Sequence, residues 1–347
     1  MSEPLTRPIT MADIARKVGL GRSTVSMALR NHPEIAAATK DRVLKAASEL
    51  GYQPDPLISL LMSRLHEETA TRRDTVLAVI NEPEVDWNWR NFPIFQTMWA
   101  GMESQAKRRG YLIEEFQVGP HGLTPERLNQ ILVARGIPGL ILAPKFGNRP
   151  SPFTQWENFA AVTTHLSVTT PGLSRTGIDH FHNFNRAWTA LEARGYRRIG
   201  FLNNPGLSIR CEHQYHAANL VKLEQLPAEQ RVAPLTLPGE ETTADNVRTW
   251  LRKERPDAVL LAGADYMLRV VREVAAVPEE LGVAALELGG APAGMSGIDE
   301  RMHEIGEAAV DMLIGRLQRN ERGSLSAPRT LHVEGVWRDG NTTRSMD

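Results

Sequence analysis

The sequence has a single cysteine, Cys211, in 347 residues, and it has no long apolar run. One cysteine excludes an intrachain disulfide and a cysteine-based zinc site, which fits a reducing compartment. No apolar stretch approaches the roughly 20 residues of a membrane span. The N-terminal residues lack the apolar core of a secretory signal. We therefore expect a cytoplasmic protein with no membrane association.

The sequence also has almost no net charge, because its 40 Lys and Arg residues are balanced by 41 Asp and Glu residues, which gives −1. The first 64 residues nevertheless carry nine Lys and Arg against six Asp and Glu. That local excess is weak evidence for a nucleic-acid partner. The length predicts two or three domains, because a single hydrophobic core stops growing before this size is reached.

A pair of short helices is predicted near the N-terminus. Thr10 can cap a helix over Met11–Val18, with Asp13 in the capping-box position and Gly19 at its end. A second helix follows over Arg22–Leu29, and such a pair with a short glycine turn is typical of the helix-turn-helix motif. In that motif the second helix lies in the major groove of DNA. Other short amphipathic helix pairs share this spacing, so the pair alone leaves both interpretations open.

The expected DNA contacts follow from the second helix. Arg22 and Ser23 at its start carry groups that bond base edges, and Met27 lies one turn later. Contacts to phosphates position a domain without specifying sequence. The candidates for phosphate contacts are Thr24, Ser26 and Arg30, and further candidates for DNA contact are Thr10 and Tyr52.

A third helix and a short apolar segment add weight to the DNA-binding interpretation. The third helix is expected to begin at residue 37 or 39 and to end at Leu50. Asp55 and Pro56 then open a short apolar helix that reaches Met62. One or two apolar turns are not stable alone in water, so this helix needs a partner chain or a DNA groove. Apolar side chains that wedge between base steps of the minor groove are one such use.

This segment resembles the DNA-binding headpiece and hinge helix of the lactose/galactose-repressor (LacI/GalR) family of bacterial transcription regulators. The residues that carry the resemblance are Asp13, Ile14, Ala15, Gly19, Thr24, Val25, Ser26, Leu29, Thr39, Arg42, Val43, Ala46, Ala47, Leu50, Gly51, Tyr52, Pro54 and Leu61. The resemblance implies that Arg22, Ser23 and Met27 stand at base-reading positions. It also implies that Leu61 enters the minor groove from each protomer of a dimer.

Four positions depart from the family pattern. Gly21 and Ala36 stand where the family usually has a capping serine. Met27 replaces a frequent arginine, and Ser59 replaces the usual hinge arginine. The two missing arginines predict a weaker charge-driven affinity. The operator sequences of relatives therefore do not carry over to this chain.

From Thr75 onward, apolar strands alternate with helical patterns, which predicts an α/β fold with two parallel sheets. The expected strands are Val76–Asn81, Tyr111–Val118, Gly139–Pro144, Ala160–Thr164, Gly177–His180, Arg198–Asn203, Val232–Leu237, Ala258–Leu261, Val283–Leu286 and Arg329–Trp337. The expected helices are Pro93–Arg109, Pro125–Arg135, Asn183–Arg194, Cys211–Gln225, Thr243–Glu254, Asp265–Ala275 and Glu304–Arg319.

The resemblance to the family continues over nearly the whole chain. Five segments carry it: 101–111, 193–200, 256–258, 304–309 and 328–330. It implies an α/β two-lobed effector domain like that of periplasmic sugar-binding proteins, with a ligand in the cleft. The implied domains are a headpiece at 1–53, a hinge helix and linker at 54–74, and an effector and dimerisation domain at 75–347. Within the last, lobe 1 is expected near 75–181 and 300–327, and lobe 2 near 183–297 and 329–344.

Ligand contacts are expected beyond the carboxyl ends of the strands. The candidates there are Asn81, Asp179, His180, Arg210, Asp265 and Glu287, and an aromatic loop adds Trp87 and Phe92, which can stack on a sugar face. Each of these residues also has a simpler interpretation, as part of a solvated loop or of lobe packing. Glu287 stands where relatives usually have an aspartate. Ala264 stands where many relatives have an asparagine. These departures argue against assuming a common hexose or purine as the effector.

The sequence gives no positive feature of an enzyme. Gly19–Thr24 lacks the spacing and the preceding strand of a phosphate-binding loop. His165, His180 and His182 have no diagnostic spacing for metal or acid–base chemistry, and no motif predicts a cofactor. We expect a non-enzymatic transcription regulator, most simply a repressor, that binds a palindromic operator as a homodimer and responds to a sugar-like effector. The alternative is a small-molecule binding protein whose N-terminal helices do not read DNA.

Overall fold

The computed structural model describes residues 9–29, 35–52, 75–83, 88–119, 122–145, 150–238 and 242–345. Arg30, Trp87, Leu61 and the rest of the expected hinge helix and linker lie outside the described residues. The side chain of Asp265 also lies outside the description. The DNA and ligand contacts expected of these residues stay predictions.

Three helices form the N-terminal headpiece, as the sequence predicts. They are α1 (Met11–Val18), α2 (Arg22–Leu29) and α3 (Ala37–Leu50). Their apolar faces meet in one small core, in which Ile14, Val25 and Val43 are fully buried. The three helices pack against one another in every pairing. This packing stabilises helices that are each too short to persist alone.

Local signals explain where the headpiece helices begin and end. The backbone N–H of Thr10 donates to Asp13 Oδ2 at 2.9 Å, and the Thr10 hydroxyl bonds the same oxygen at 2.7 Å. Gly19 ends α1 and Gly51 ends α3, with φ of 67° and 66° in the left-handed region that favours glycine. Arg42 of α3 donates to the Val18 carbonyl oxygen at 2.9 Å, which ties α3 to the end of α1.

Beyond the headpiece, the described strands form two six-stranded sheets. The first has the order β11-β5-β4-β3-β1-β2, and the second has the order β12-β10-β9-β8-β6-β7. The pairings are parallel except for that of β10 with β12. The strands are β1 (Thr75–Asn81), β2 (Tyr111–Gln117), β3 (Gly139–Leu142), β4 (Ala160–Thr164), β5 (Ser174–Ile178), β6 (Ile199–Asn203), β7 (Leu235–Thr236), β8 (Ala258–Leu261), β9 (Gly282–Ala285), β10 (Ser296–Asp299), β11 (Thr330–Val333) and β12 (Val336–Arg338).

Helices pack on both sheets. The first sheet with its helices is called the first lobe, and the second sheet with its helices is called the second lobe. The first lobe contains α4 (Pro93–Arg108), α5 (Pro125–Ala134) and α11 (Met302–Gln318). The second contains α6 (His180–Glu192), α7 (Pro205–Arg210), α8 (Gln214–Gln225), α9 (Ala244–Glu254) and α10 (Ala264–Arg272). Each lobe has apolar cores of its own on the two faces of its sheet, as expected for buried parallel strands.

Two of the expected strands were wrong in their extent, and two elements were not expected. The single strand expected over Arg329–Trp337 is two strands, because the chain leaves β11 in the first sheet and enters the second sheet as β12. The strand expected over Gly177–His180 ends at Ile178, and α6 begins at His180 because Asp179 caps it. Neither β10 nor the short helix α7 was expected. The domain boundaries themselves stay predictions.

Within the parts of the chain that the structure describes, no helix is long and apolar enough to cross a membrane.

Candidate nucleic-acid interface and ligand cleft

The second headpiece helix presents a polar face at its start. Arg22 and Ser23 are exposed, whereas Val25 and Ala28 are buried in the headpiece core. The Gly21 carbonyl oxygen accepts the Val25 N–H at 3.0 Å, so the helix begins without a side chain at its cap. A helix in this arrangement can approach a surface with its N-terminal turn while its other face holds the fold.

The other candidates of the headpiece are less accessible than Arg22 and Ser23. Thr24, Ser26 and Met27 are half-buried. Tyr52 packs against the headpiece core, and its N–H donates to the Ala47 carbonyl oxygen at 2.9 Å. Thr10 is exposed but is engaged by Asp13. These residues therefore contribute to the headpiece fold, and the DNA contacts expected of them stay predictions.

A cluster of polar side chains lies between the two lobes around Glu287. The Tyr215 hydroxyl donates to Glu287 Oε1 at 3.0 Å. The His180 Nδ1 atom lies 3.7 Å from the same carboxylate oxygen, and its ring meets the Tyr215 ring edge-on at 4.9 Å. Burial raises the pKa of Glu287, and Arg210, at the end of α7, is close enough that its charge opposes this rise. Three residues predicted from sequence, His180, Arg210 and Glu287, are thus brought together.

Burial sets the protonation of this cluster. It raises the pKa of Glu287 and lowers the pKa of His180 to about 3. His180 is therefore neutral at pH 7, and its contact with Glu287 is not an ion pair. Burial also lowers the pKa of the Arg210 guanidinium, and Glu287 opposes that effect. Arginine stays protonated in proteins, so Arg210 supplies a positive charge here.

His165 belongs to the same region from the side of the first lobe. It follows β4 with a left-handed φ of 60°, and its ring meets the Phe95 ring edge-on at 5.6 Å. Both of its ring nitrogens are buried without a hydrogen-bond partner among the described residues, as is His180 Nδ1. Burial, and then the charge of Arg210, lower the pKa of His165 to about 4. The sequence analysis named His165 but did not count it among the ligand contacts, although it lies just beyond the carboxyl end of a predicted strand.

Glu300 is a second residue that sequence reasoning missed. Its side chain is 1% exposed and lies on the chain between β10 and α11, where the polypeptide crosses between the lobes. Its carboxylate accepts the Leu288 and Gly289 N–H groups, each at 3.0 Å. Burial, and then the charge of Glu287, raise the pKa of Glu300 to about 8. The rule that ligand contacts follow the carboxyl ends of strands did not find Glu300, because β10 was not recognised in the sequence.

Asn81 lies at the end of β1 in a polar network of the first lobe. Its amide donates to Glu115 Oε1 at 2.8 Å and to Asn88 Oδ1 at 3.2 Å. The Trp89 indole N–H donates to the same Glu115 oxygen at 3.1 Å, and Arg90 pairs with the other oxygen at 3.4 Å. Asn81 Oδ1 is buried without a hydrogen-bond partner among the described residues. Asn81 thus keeps one acceptor while its donors hold the loop before α4.

Phe92 and Asp179 are the remaining predicted cleft residues that the structure describes. Phe92 is exposed and meets Phe95 edge-on at 6.2 Å, so it continues the row of rings that leads to His165. Asp179 Oδ1 accepts the His182 N–H at 2.9 Å, which is the bond of a helix cap. Asp179 therefore shapes the start of α6 and is not part of the cluster around Glu287.

The architecture is that of a three-helix headpiece followed by a two-lobed α/β domain. Residues 10–55 match the family model of bacterial regulatory proteins of the lacI family. Residues 189–339 match the model of a periplasmic binding protein-like domain. The headpiece is thus similar to the lacI family, and the second lobe with its neighbouring segments is similar to periplasmic binding protein-like domains.

Known proteins resemble the chain in sequence and in fold. The HTH-type transcriptional regulator CelR of Thermobifida fusca is 28% identical over 203 residues, which is 56% of this chain and 56% of that protein. The chain thus spans about half the length of the curated relatives that it matches. A structure of a transcriptional regulator CelR–cellobiose complex superposes with a TM-score of 0.53 at 22% identity, covering 97% of this chain and 100% of that one. The lac repressor dimer bound to operator and the anti-inducer ONPF gives 0.52 at 19% identity over the same shares.

Proposed function

We propose that this protein is a transcription regulator, most simply a repressor, which binds a palindromic operator as a homodimer and is controlled by a small molecule in the interlobe cleft. The observation that carries the proposal is the combination of two units in one chain. One unit presents Arg22 and Ser23 on an exposed helix start, and the other encloses the polar cluster around Glu287. The family matches over both units support it.

The DNA part of the proposal rests on the chemistry of α2. An arginine can bond the O6 and N7 atoms of guanine in a bidentate way, and a serine can pair with several base edges. Both side chains are exposed at the helix end that enters the major groove in this motif. A two-fold dimer presents two such helices to two inverted half-sites. The structurally similar lac repressor binds its operator as a dimer, which supports this arrangement.

The ligand part of the proposal rests on the balance of hydrogen-bond donors and acceptors in the cleft. Neutral imidazoles such as His165 and His180 each offer one donor and one acceptor. Glu287 accepts, and Arg210 donates. Hydroxyl groups do both, so a polyhydroxylated molecule satisfies such a mixed set better than a ligand that only accepts or only donates. We therefore infer a sugar or sugar derivative, and the cellobiose of the CelR complex supports this class.

The proposal assigns no catalytic step to the cleft. The similar proteins are named as transcriptional regulators, and a regulator requires only that ligand binding change the population of two conformations. We infer that the protein acts in the cytoplasm at the nucleoid, where operator DNA lies.

A ligand screen joined to a DNA-binding assay tests this function. Cellobiose, ribose, cytidine, glucosamine and glucuronate are added to the full chain, and thermal unfolding is followed, because a ligand of the native state raises its apparent stability. The compound that stabilises the chain is then added to a complex with selected duplex DNA. We expect a change in DNA affinity of about 5–150-fold, the usual range of coupling between two sites. A stabilising compound that leaves DNA affinity unchanged would contradict control through the cleft.

A further inference from the structure

The segment after β9 carries the cluster's carboxylate and also touches the other lobe. Glu287 faces Tyr215 and His180, and the next two residues, Leu288 and Gly289, donate their N–H groups to Glu300. The backbone of this segment is therefore held by a carboxylate that is 1% exposed. These two hydrogen bonds, from consecutive backbone N–H groups, limit the movement of the segment relative to Glu300.

Gly289 is packed between Glu300 and a residue of the first lobe. A Cβ atom placed on Gly289 would lie 2.8 Å from Cγ1 and 3.1 Å from Cβ of Ile94, and it would also overlap Glu300 Oε1. Ile94 lies in the first turn of α4 and packs against the core of the first lobe. The absence of a side chain at residue 289 thus permits a direct contact between the lobes. The neighbouring Gly290 has no heavy atom within 4 Å of such a Cβ.

The first-lobe side of this contact leads into a closely packed helix pair. A Cβ atom on Gly101 of α4 would overlap the backbone of His303, and one on Gly306 of α11 would overlap the backbone of Met98. These two glycines let α4 and α11 approach backbone to backbone. Close-packed interiors have low compressibility and transmit displacements. A displacement of Ile94 is therefore expected to move α4 together with α11. Glu300 precedes α11 and so joins both ends of the path.

We propose that Glu287–Gly289 is an interlobe latch, in which Glu300 is the positioning residue and Gly289 against Ile94 is the contact that fixes lobe closure. The proposal rests on the proposed function in one respect, since it takes the ligand of the cleft to contact Glu287. A ligand that draws Glu287 away from Tyr215 moves the attached Gly289 relative to Ile94. Occupancy of the cleft is thereby converted into a change of lobe closure at one defined point.

The distance between the lobes in the full chain tests the latch without any ligand. Nitroxide labels are attached to Gln130→Cys on α5 and Arg252→Cys on α9, two exposed positions, one in each lobe. The native Cys211 is 1% exposed, and burial raises its pKa to about 11, so its thiol does not compete for the label. Pulsed electron paramagnetic resonance then gives the distance between the two labels.

Gly289→Ala is expected to lengthen or broaden this distance, because its methyl group cannot fit between Ile94 and Glu300. The control Gly290→Ala is expected to leave it unchanged. Adding Ile94→Ala to Gly289→Ala removes the clash with Cγ1 but keeps the overlap with Glu300 Oε1, so the distance is expected to return part of the way to the wild-type value. A wild-type distance in Gly289→Ala, or no return toward it in the double variant, overturns the latch.

The same variants separate failure of the latch from failure of the proposed function. If the distance responds as described but neither wild type nor variants bind any DNA sequence selectively, the latch stands and the DNA-binding function fails. If wild type binds an operator and the distance between the labels is the same in wild type and Gly289→Ala, the function stands and the latch is wrong.

Discussion

Two buried histidines make the cleft sensitive to acid. Burial lowers the pKa of His180 to about 3 and that of His165 to about 4, whereas an unfolded chain protonates histidine near its ordinary value of about 6.5. Below that value the unfolded state binds protons that the native state does not. The stability contributed by these neutral rings is therefore present above pH 6.5 and is lost as the pH falls toward 4 and then 3.

We predict that His180→Gln reduces this acid sensitivity. Each buried histidine contributes a slope of up to about 1.4 kcal/mol per pH unit below pH 6.5. Denaturant unfolding of the full chain at pH 6.5, 5.5 and 4.5 should show a shallower loss of unfolding free energy in the variant than in wild type. His303→Gln, at a half-exposed site on α11, is the control. Equal slopes in wild type and His180→Gln would mean that His180 is not a buried neutral group.

Arg22 is the residue on which we expect base reading to depend most. We predict that Arg22→Ala relaxes the preference at one base pair of each half-site, at a cost of roughly 1–3 kcal/mol. Lys45→Ala, an exposed cation on α3, is the matched charge control and should weaken binding evenly across sequences. Affinities for a set of single-base operator variants measure both effects. An even loss across the set for Arg22→Ala would reduce this arginine to a phosphate contact.

At the scale of the element, the start of α3 leaves room for stabilisation. Ala36 stands at the cap with φ −58° and ψ 143°, and it makes no side-chain hydrogen bond there. A serine in this extended conformation can accept a backbone N–H of the first turn. We predict that Ala36→Ser stabilises α3 by about 1 kcal/mol.

Hydrogen exchange of the α3 amides in the full chain checks this prediction. A gain of about 1 kcal/mol slows exchange roughly fivefold where exchange follows local opening. Ala38→Ser, one residue into the helix, is the control and should give no protection, because serine is a poorer helix former than alanine. Faster exchange in Ala36→Ser would show that the cap geometry is not used.

Strong local signals explain which elements the sequence predicts. The capping pair Thr10–Asp13 and the terminal glycines Gly19 and Gly51 define the headpiece helices without reference to the rest of the fold. Strand β10 lacks such a signal, because a four-residue strand with an internal glycine has low strand propensity. It forms because it pairs with β9 and β12, where Gly297 allows close approach to Ala285.

The cleft was predictable only in part for the same reason. Glu287 follows a predicted apolar strand, so the rule of strand ends finds it. Glu300 follows β10 and could not be found without it. The role of Asp179 as a cap, and of Asn81 as a holder of the loop before α4, depend on partners that lie near in space and not in sequence.

At the scale of the whole molecule, a small cationic unit precedes a larger acidic one. The first 64 residues carry an excess of three positive charges, which leaves the remainder at −4. We therefore expect attraction to DNA to act on the headpiece, and we expect the two-lobed domain to add no general affinity for phosphate. In the proposed function, selectivity comes from base contacts and from the spacing of two headpieces in a dimer.

Selection of binding sites from random duplex DNA by the full-length protein tests the central claim most directly. We predict enrichment of a near-palindrome whose half-sites lie about one helical turn apart or a multiple of it, with the preference at one base pair of each half-site lost in Arg22→Ala. Equal affinity for all sequences, with no inverted repeat enriched, would contradict the account.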